Sequence, residues 1–352
     1  KNYAYTIELC NANWEPSSLT EYDYIEGFVE DQIRDYEFAF NTTFQFTHYT
    51  LEIPNDNLKP AVAGNYLLKV YQDYDKENLV FTKRFLVFEK LVGISANARQ
   101  ATLAEFRKTS HEIDFNLNIS AINVNDPYDE VKVVLLKNFR WDNAITGLKP
   151  LLVKDRTLIY DYDRENVFQA GNEYRDFNIK SIRYQSHRIQ NIEFIGGHHH
   201  VFLWPDEKRS FKRYFYDEDL NGKYWIEIQE GEYPEVEADF VYVHFTLPLD
   251  APFINGNIYV FGELSNWKCN KKNKMSYNYE KKAYELKLLL KQGFYNYQYA
   301  FKQDGFDQAD LSRIEGSHYQ TENNYIILVY HRDYNSRFDK LAGMKVINSV
   351  IK

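Results

Sequence analysis

The chain has 352 residues, and its 51 acidic and 42 basic side chains leave a formal net charge of −9. That balance argues against a duplex nucleic-acid binder, whose affinity comes largely from Lys and Arg at phosphates, and equally against docking on an anionic membrane surface. No apolar run approaches the roughly 20 residues of a membrane helix, so no direct membrane insertion is expected, and a chain beyond ~250 to 300 residues usually divides into two or three domains.

The 30 Tyr and 25 Phe suit the pleated, half-buried surface of β-strands. Residues 3–9, 36–49, 66–71 and 79–88 read as β-like runs broken by turns such as Gly64-Asn65. They predict an immunoglobulin-like sandwich over 1–91. The small, polar stretch 93–108 reads as a linker, with one or two helical turns over 101–108. A second sandwich over 92–237 is built from runs at 111–119, 131–136, 157–160, 177–184 and 189–195. A hairpin over 211–228, turning at Asn221-Gly222, closes it. After the acidic connector 229–237 comes a third set over 238–331, where Val241, Val243, Phe245 and Leu247 share one face. Its strongest signal is 286–301, LKLLLKQGFYNYQYAF, where two apolar runs meet at Gln292-Gly293 and predict a hairpin. Residues 332–352 are mixed and polar, and are expected to be a tail or short helix. The fold class is therefore all-β, with tandem immunoglobulin-like β-sandwich domains.

Few constellations suggest chemistry. Asp217, Asp219 and Asn221, ahead of Gly222, match the first half of a calcium loop, but Ile228 stands where the loop needs a bidentate Glu. A plain turn is the favoured reading, and no metal or cofactor is expected. In the run His198-His199-His200 consecutive strand residues alternate faces, so only His198 and His200 could share an ion. Trp267, after the Asn266 turn, could stack on a sugar, although such a ring more often closes the end of a sandwich core. Cys10 and Cys269 lie 259 positions apart and fall in different expected domains, so a stapling disulfide is not the favoured reading. There is no G-x-S-x-G elbow, H-E-x-x-H, phosphate loop or G-x-G-x-x-G, so the chain is not read as an enzyme.

Longer runs carry a resemblance. CNANWEPSSL (10–19), FNTTFQFTHY (40–49), GNYLLKVY (64–71), GNEYRDFNIKS (171–181), DLNGKY (219–224), YVFGELSNW (259–267), LLLKQGFYNYQYAF (288–301) and EGSHYQTENNY (315–325) together resemble the plug protein family of the type IX secretion system of Bacteroidota. The last third is also similar to the early-set immunoglobulin-like module of glycogen-branching enzymes. The family resemblance implies a non-catalytic periplasmic subunit, a monomer within a hetero-complex, at the inner side of the outer membrane. Its implied partner is the giant outer-membrane β-barrel translocon, whose periplasmic opening it closes. It also implies further strands ahead of Lys1. The alternative is a periplasmic or surface glycan-binding protein that uses Trp267 in the last domain.

Overall fold

The computed structural model describes residues 1–349. It is 46% strand and 5% helix, all-β as the composition implies. Three cores organise it, each between facing sheets. The first lies under a sheet ordered Asp31–Gln32, Tyr3–Cys10, Gly64–Gln72, Leu79–Val87, and takes in Tyr5, Ile7, Leu9, Tyr66 and Val70. Two short antiparallel pairs cover its other side, Ile25–Gly27 with Leu58–Pro60 and Asp35–Phe38 with Thr47–Thr50.

The second core is enclosed by two sheets. In one, Ser110–Asn118 pairs with Gly93–Gln100, Thr157–Tyr160 and Val167–Gln169; the other is ordered Arg140–Thr146, Val131–Lys137, Asn324–His331, Lys340–Asn348. Here the expected organisation is corrected. Residues 93–100 are a strand rather than a linker, because Ile94, Ala96 and Ala98 turn one face onto the core while the alternate polar residues face outward. Residues 101–108 form turns. The stretch 324–331, expected to end the last domain, instead pairs along the whole of Val131–Lys137. Lys340–Asn348 is likewise a strand, not a tail or helix; residues 350–352 of that expectation lie outside the described residues.

The central strands of this sheet are apolar almost throughout because both faces are covered. Val133, Leu135, Ile327 and Val329 face the second core, while Val134, Leu136, Ile326 and Leu328 face Ala12 and Leu86 of the first sandwich. A strand buried on both sides has no solvent face, so alternation disappears.

The third core lies between Arg175–Asn178, Tyr224–Ile226, Gly256–Phe261 and Gly293–Gln303 on one side and Ile189–Ile195, His198–Leu203, Phe240–Pro248, Ala283–Lys291 and Ser276–Asn278 on the other. Strands on both sides of position 237 share this core, so the expected boundary there is corrected: the third sandwich is inserted into the second. The chain leaves after Val167–Gln169 and returns at Asn324–His331.

The 286–301 hairpin is also corrected. Its two strands belong to opposite sheets, the chain crossing at Gln292-Gly293, so Leu286, Leu288 and Leu290 meet Tyr295, Tyr297, Tyr299 and Phe301 across the core rather than along an edge. Gly293 is required at the crossing because a Cβ there would come within 2.3 Å of the Trp225 carbonyl oxygen. The hairpin around Asn221-Gly222 is half correct. Both residues adopt positive φ, 53° and 81°, as a turn needs, but residues 211–219 form no strand and Tyr224–Ile226 pairs with Gly293–Gln303.

Candidate docking body and its junctions

Asp219, Trp267 and His198 land in packing roles. Asp219 accepts from the backbone N–H of Tyr174 and of Asn221, both at 2.5 Å, which pins the turn to the strand beginning at Arg175. Its carboxylate is thus committed to main-chain donors, and burial pushes its pKa up. Asp217 lies apart, on the rim of a cleft beside Arg175 and Asp206. Trp267 meets Tyr174 edge-on at 6.2 Å and Phe261 at 5.7 Å, with the Arg140 guanidinium 4.9 Å from its ring centre. Its far edge closes on Gly222, where a Cβ would come within 2.3 Å of the ring. His198 and His200 do share a face, as alternation requires, yet they diverge in role. His198 stacks on Phe44 at 4.0 Å, whereas the His200 Nδ1 lies 2.9 Å from the Nε2 of His244. Both cysteines are free, and burial pushes each thiol up to about 11.

What the motif search missed is that the singled-out runs converge on three junctions. Between the first and second sandwiches, Trp14 and Trp141 meet edge to face at 4.9 Å, and the Arg84 guanidinium lies 4.4 Å from the Trp14 ring. Nearby, Asp339 accepts from the Ala12 N–H at 3.0 Å and from Lys132 at 2.8 Å.

Between first and third, the loop joining Asp35–Phe38 to Thr47–Thr50 reaches onto the outer face of the sheet holding Phe240–Pro248. The Asp239 carboxylate accepts from the Thr43 N–H (2.9 Å), the Thr43 hydroxyl (2.6 Å) and the Phe44 N–H (3.1 Å). Phe46 packs against Phe240 at 5.3 Å.

The third junction is where the chain crosses twice between second and third sandwiches, and buried polar groups stitch it. Ser317 donates to the Thr109 carbonyl and accepts from the Gly171 N–H. Asn323 donates to the Ala170 carbonyl at 2.9 Å, and Asn138 bonds both Asn323 and the Asn324 N–H. Lys137 donates to the carbonyls of Gln169 (2.7 Å) and Ala170 (3.2 Å); burial, with Arg140 adding to it, pushes its pKa down to about 7. His111 donates from Nε2 to the Tyr319 carbonyl, so its Nδ1 accepts from the Tyr325 hydroxyl at 2.8 Å; burial pushes this ring down to about 4 and keeps it neutral.

A buried ion network then fixes the irregular segment after Leu203. Asp206 is bound by Arg175 (2.9 Å), Arg188 (2.5 Å) and the hydroxyls of Tyr297 and Tyr299. Glu315 is bound by Arg175 (3.0 Å), Arg209 (2.8 Å) and the Tyr299 N–H. Burial acts to raise the Glu315 pKa, but the two guanidiniums outweigh it and hold the carboxyl below its ordinary value. Removing one partner from such a network would strand a buried charge, so its members hold one another in place. Phe211 and Phe215, 76% and 78% exposed, lie on the segment that follows Arg209. Among the described residues no group of three or more His, Cys, Asp or Glu is placed to hold a metal ion.

Residues 1–89 match the family described as "Type 9 secretion system plug protein 1st domain". Residues 1–89 are thus a first domain of the type IX secretion plug family. A crystal structure of a hypothetical protein from Parabacteroides merdae is similar over nearly the whole length, with a TM-score of 0.95 and 37% identity over 99% of this chain and 87% of that one. No curated protein sequence matches. That match points to a role in type IX secretion and to the cell envelope; the family is not a known enzyme family. Among the described residues no helix is long and apolar enough to cross a membrane.

Proposed function

We propose that this chain is a non-catalytic plug subunit that seats from the periplasmic side against the outer-membrane β-barrel translocon of the type IX system and closes its opening. The observation that carries this reading is the closed ring of junctions. First meets second through Trp14 and Trp141, second meets third through Lys137, Asn138 and Asn323, and third meets first through Asp239 and Thr43. Three bodies joined at three places cannot hinge as two joined at one can, and a stopper must hold its width under load. The runs on which the family resemblance rests supply these junctions: 10–19 holds Trp14, 40–49 holds Thr43 and Phe44, 171–181 holds Gly171 and Arg175, and 315–325 holds Glu315, Ser317 and Asn323.

Against the glycan-binding alternative, Arg140 lies against the Trp267 ring and the Gly222 turn closes its edge, which supports a packing role for this ring. Affinity purification of the native protein from envelope extracts tests the proposal. Recovery of a very large outer-membrane β-barrel supports the plug, and recovery of glycan-processing enzymes without a barrel overturns it.

A further inference from the structure

The run 211–218 is a loop fixed at both ends and caught once between them. At one end the Arg209 N–H donates to the Ile314 carbonyl at 2.7 Å, and the Arg209 side chain is bound to Glu315. At the other, Asp219 accepts from the Tyr174 N–H. Among the described residues, the hydrogen bonds that tie 211–218 to a distant segment are those of the Tyr214 hydroxyl; Lys212 bonds Arg209 and Glu207, close by in the chain. The exposed rings of Phe211, Phe215 and Tyr216 ride on this loop.

The catch closes on a carboxyl that is out of water. Glu173 is 3% exposed, and one carboxyl oxygen meets both the Tyr214 hydroxyl and the Glu322 N–H. Arg209 donates to the main-chain carbonyl of Glu173 at 2.7 Å and gives its Nε to Glu315, so its charge is committed elsewhere. His318, whose ring lies 5.7 Å from that of Tyr214, has its pKa lowered by burial, with Arg209 adding to it, and is neutral at pH 7. The charges that face the Glu173 carboxyl are acidic, Asp219 from the end of the loop and Glu322 from the segment after Glu315.

Tyr214 has one hydroxyl proton, yet its oxygen lies within reach of two acceptors, the Glu173 carboxyl and the Gln320 carbonyl at 3.1 Å. Both contacts are satisfied together when Glu173 is protonated, for its O–H then donates to the Tyr214 oxygen while Tyr214 donates to Gln320. As a carboxylate Glu173 takes the tyrosine donor for itself, Gln320 loses it, and a buried charge faces two other carboxylates. We propose that Glu173 is a proton-operated latch, independent of pore closure: protonated, it fastens the loop that carries Phe211 and Phe215, and ionised, it lets that loop go. Burial, with Asp219 and Glu322 adding to it, outweighs the two hydrogen bonds and pushes the pKa from 4.5 up to about 7 under the closed loop. Once the loop swings away, water reaches the carboxyl and restores its ordinary value. The closed form then binds more protons than the open one between these values, so opening becomes easier as the pH rises through them and levels off above about 7.

Limited trypsin digestion of the full chain tests this, scored at Lys212 and Arg213 and normalised at each pH to cleavage of a synthetic peptide of residues 208–218. The native chain should be cut about tenfold faster at about pH 8 than at about pH 6, the ratio set by a carboxyl pKa of 4.5 in the open form and about 7 in the closed one. Glu173→Gln, which puts an uncharged donor in the same place, should give a ratio that does not change with pH. Tyr214→Phe should be cut fast at both. The infrared spectrum of the native chain at about pH 6 should show a protonated-carboxyl C=O band that shrinks by about pH 8 and that Tyr214→Phe loses. A native rate that does not change with pH, the same rise in Glu173→Gln, slow cutting of Tyr214→Phe, or no such band in the native chain overturns the proposal.

Discussion

Lys137→Met should remove a specific pH dependence of stability. In the native protein the Lys137 ammonium is buried against the carbonyls of Gln169 and Ala170, and its pKa falls from 10.5 to about 7. The unfolded chain then binds more protons than the folded one between these values, so stability rises with pH across that window. The penalty is full below about pH 7 and is relieved as the pH climbs toward the unfolded pKa. Each pH unit is worth at most about 1.4 kcal/mol, and with the folded group already half deprotonated at the start, the gain from about pH 7 to about pH 9 is about 2 kcal/mol. Other groups that titrate in this range, the two thiols of the unfolded chain among them, are common to both proteins and cancel in the comparison. Urea unfolding followed by tryptophan fluorescence at the two pH values measures the difference. The native chain should gain about 2 kcal/mol more than the Met variant. Lost hydrogen bonds to the carbonyls lower the variant's stability by about 1 to 3 kcal/mol at both pH values and leave that difference unchanged. Equal gains in the two proteins would show that the ammonium is not desolvated at the crossing, and would remove the argument that this junction is tightly closed.

Trp267→Ala should destabilise the third sandwich by about 3 kcal/mol, since it opens a cavity among Tyr174, Phe261 and Gly222; a melting temperature that does not move, combined with lost α-glucan affinity, would restore the glycan reading. Asp239→Ala withdraws three hydrogen bonds from Thr43 and Phe44 and should raise amide exchange across residues 39–46 while the sandwich cores stay protected; unchanged exchange there would mean that the aromatic contacts of Phe44 and Phe46 alone hold the junction.

The all-β class was legible because alternation survives wherever a strand has one wet face. In Phe240–Pro248 the buried residues are Val241, Val243, Phe245 and Leu247, as read from the sequence. What stayed hidden was connectivity. The local pattern at 286–301 shows two apolar strands and a turn, but whether they pair by edges or pack by faces depends on which other strands claim those edges. The insertion of the third sandwich was equally invisible, since pairing of 324–331 with 131–137 spans about half the chain. The runs of unbroken apolar residues, VVLL and YIILVY, were its only sequence trace: strands with no polar face must lie at the centre of something. The junction residues were visible only as motifs. Gly171, Ser317 and Asn323 carry no chemistry of their own, and their meaning is geometric.

The central claim is that a rigid three-cornered body closes a pore, and the most direct measurement is outer-membrane permeability to large hydrophilic solutes in a strain lacking this chain. With the barrel verified as present, the account predicts entry of solutes that the parent excludes, and restoration by the native chain. Charge reversals on a seating face should mimic the deletion while the isolated protein stays folded, because reversible seating over more than about 1,000 Å² relies on a largely polar contact. Permeability equal to that of the parent, with the barrel present and not otherwise occupied, would contradict the account.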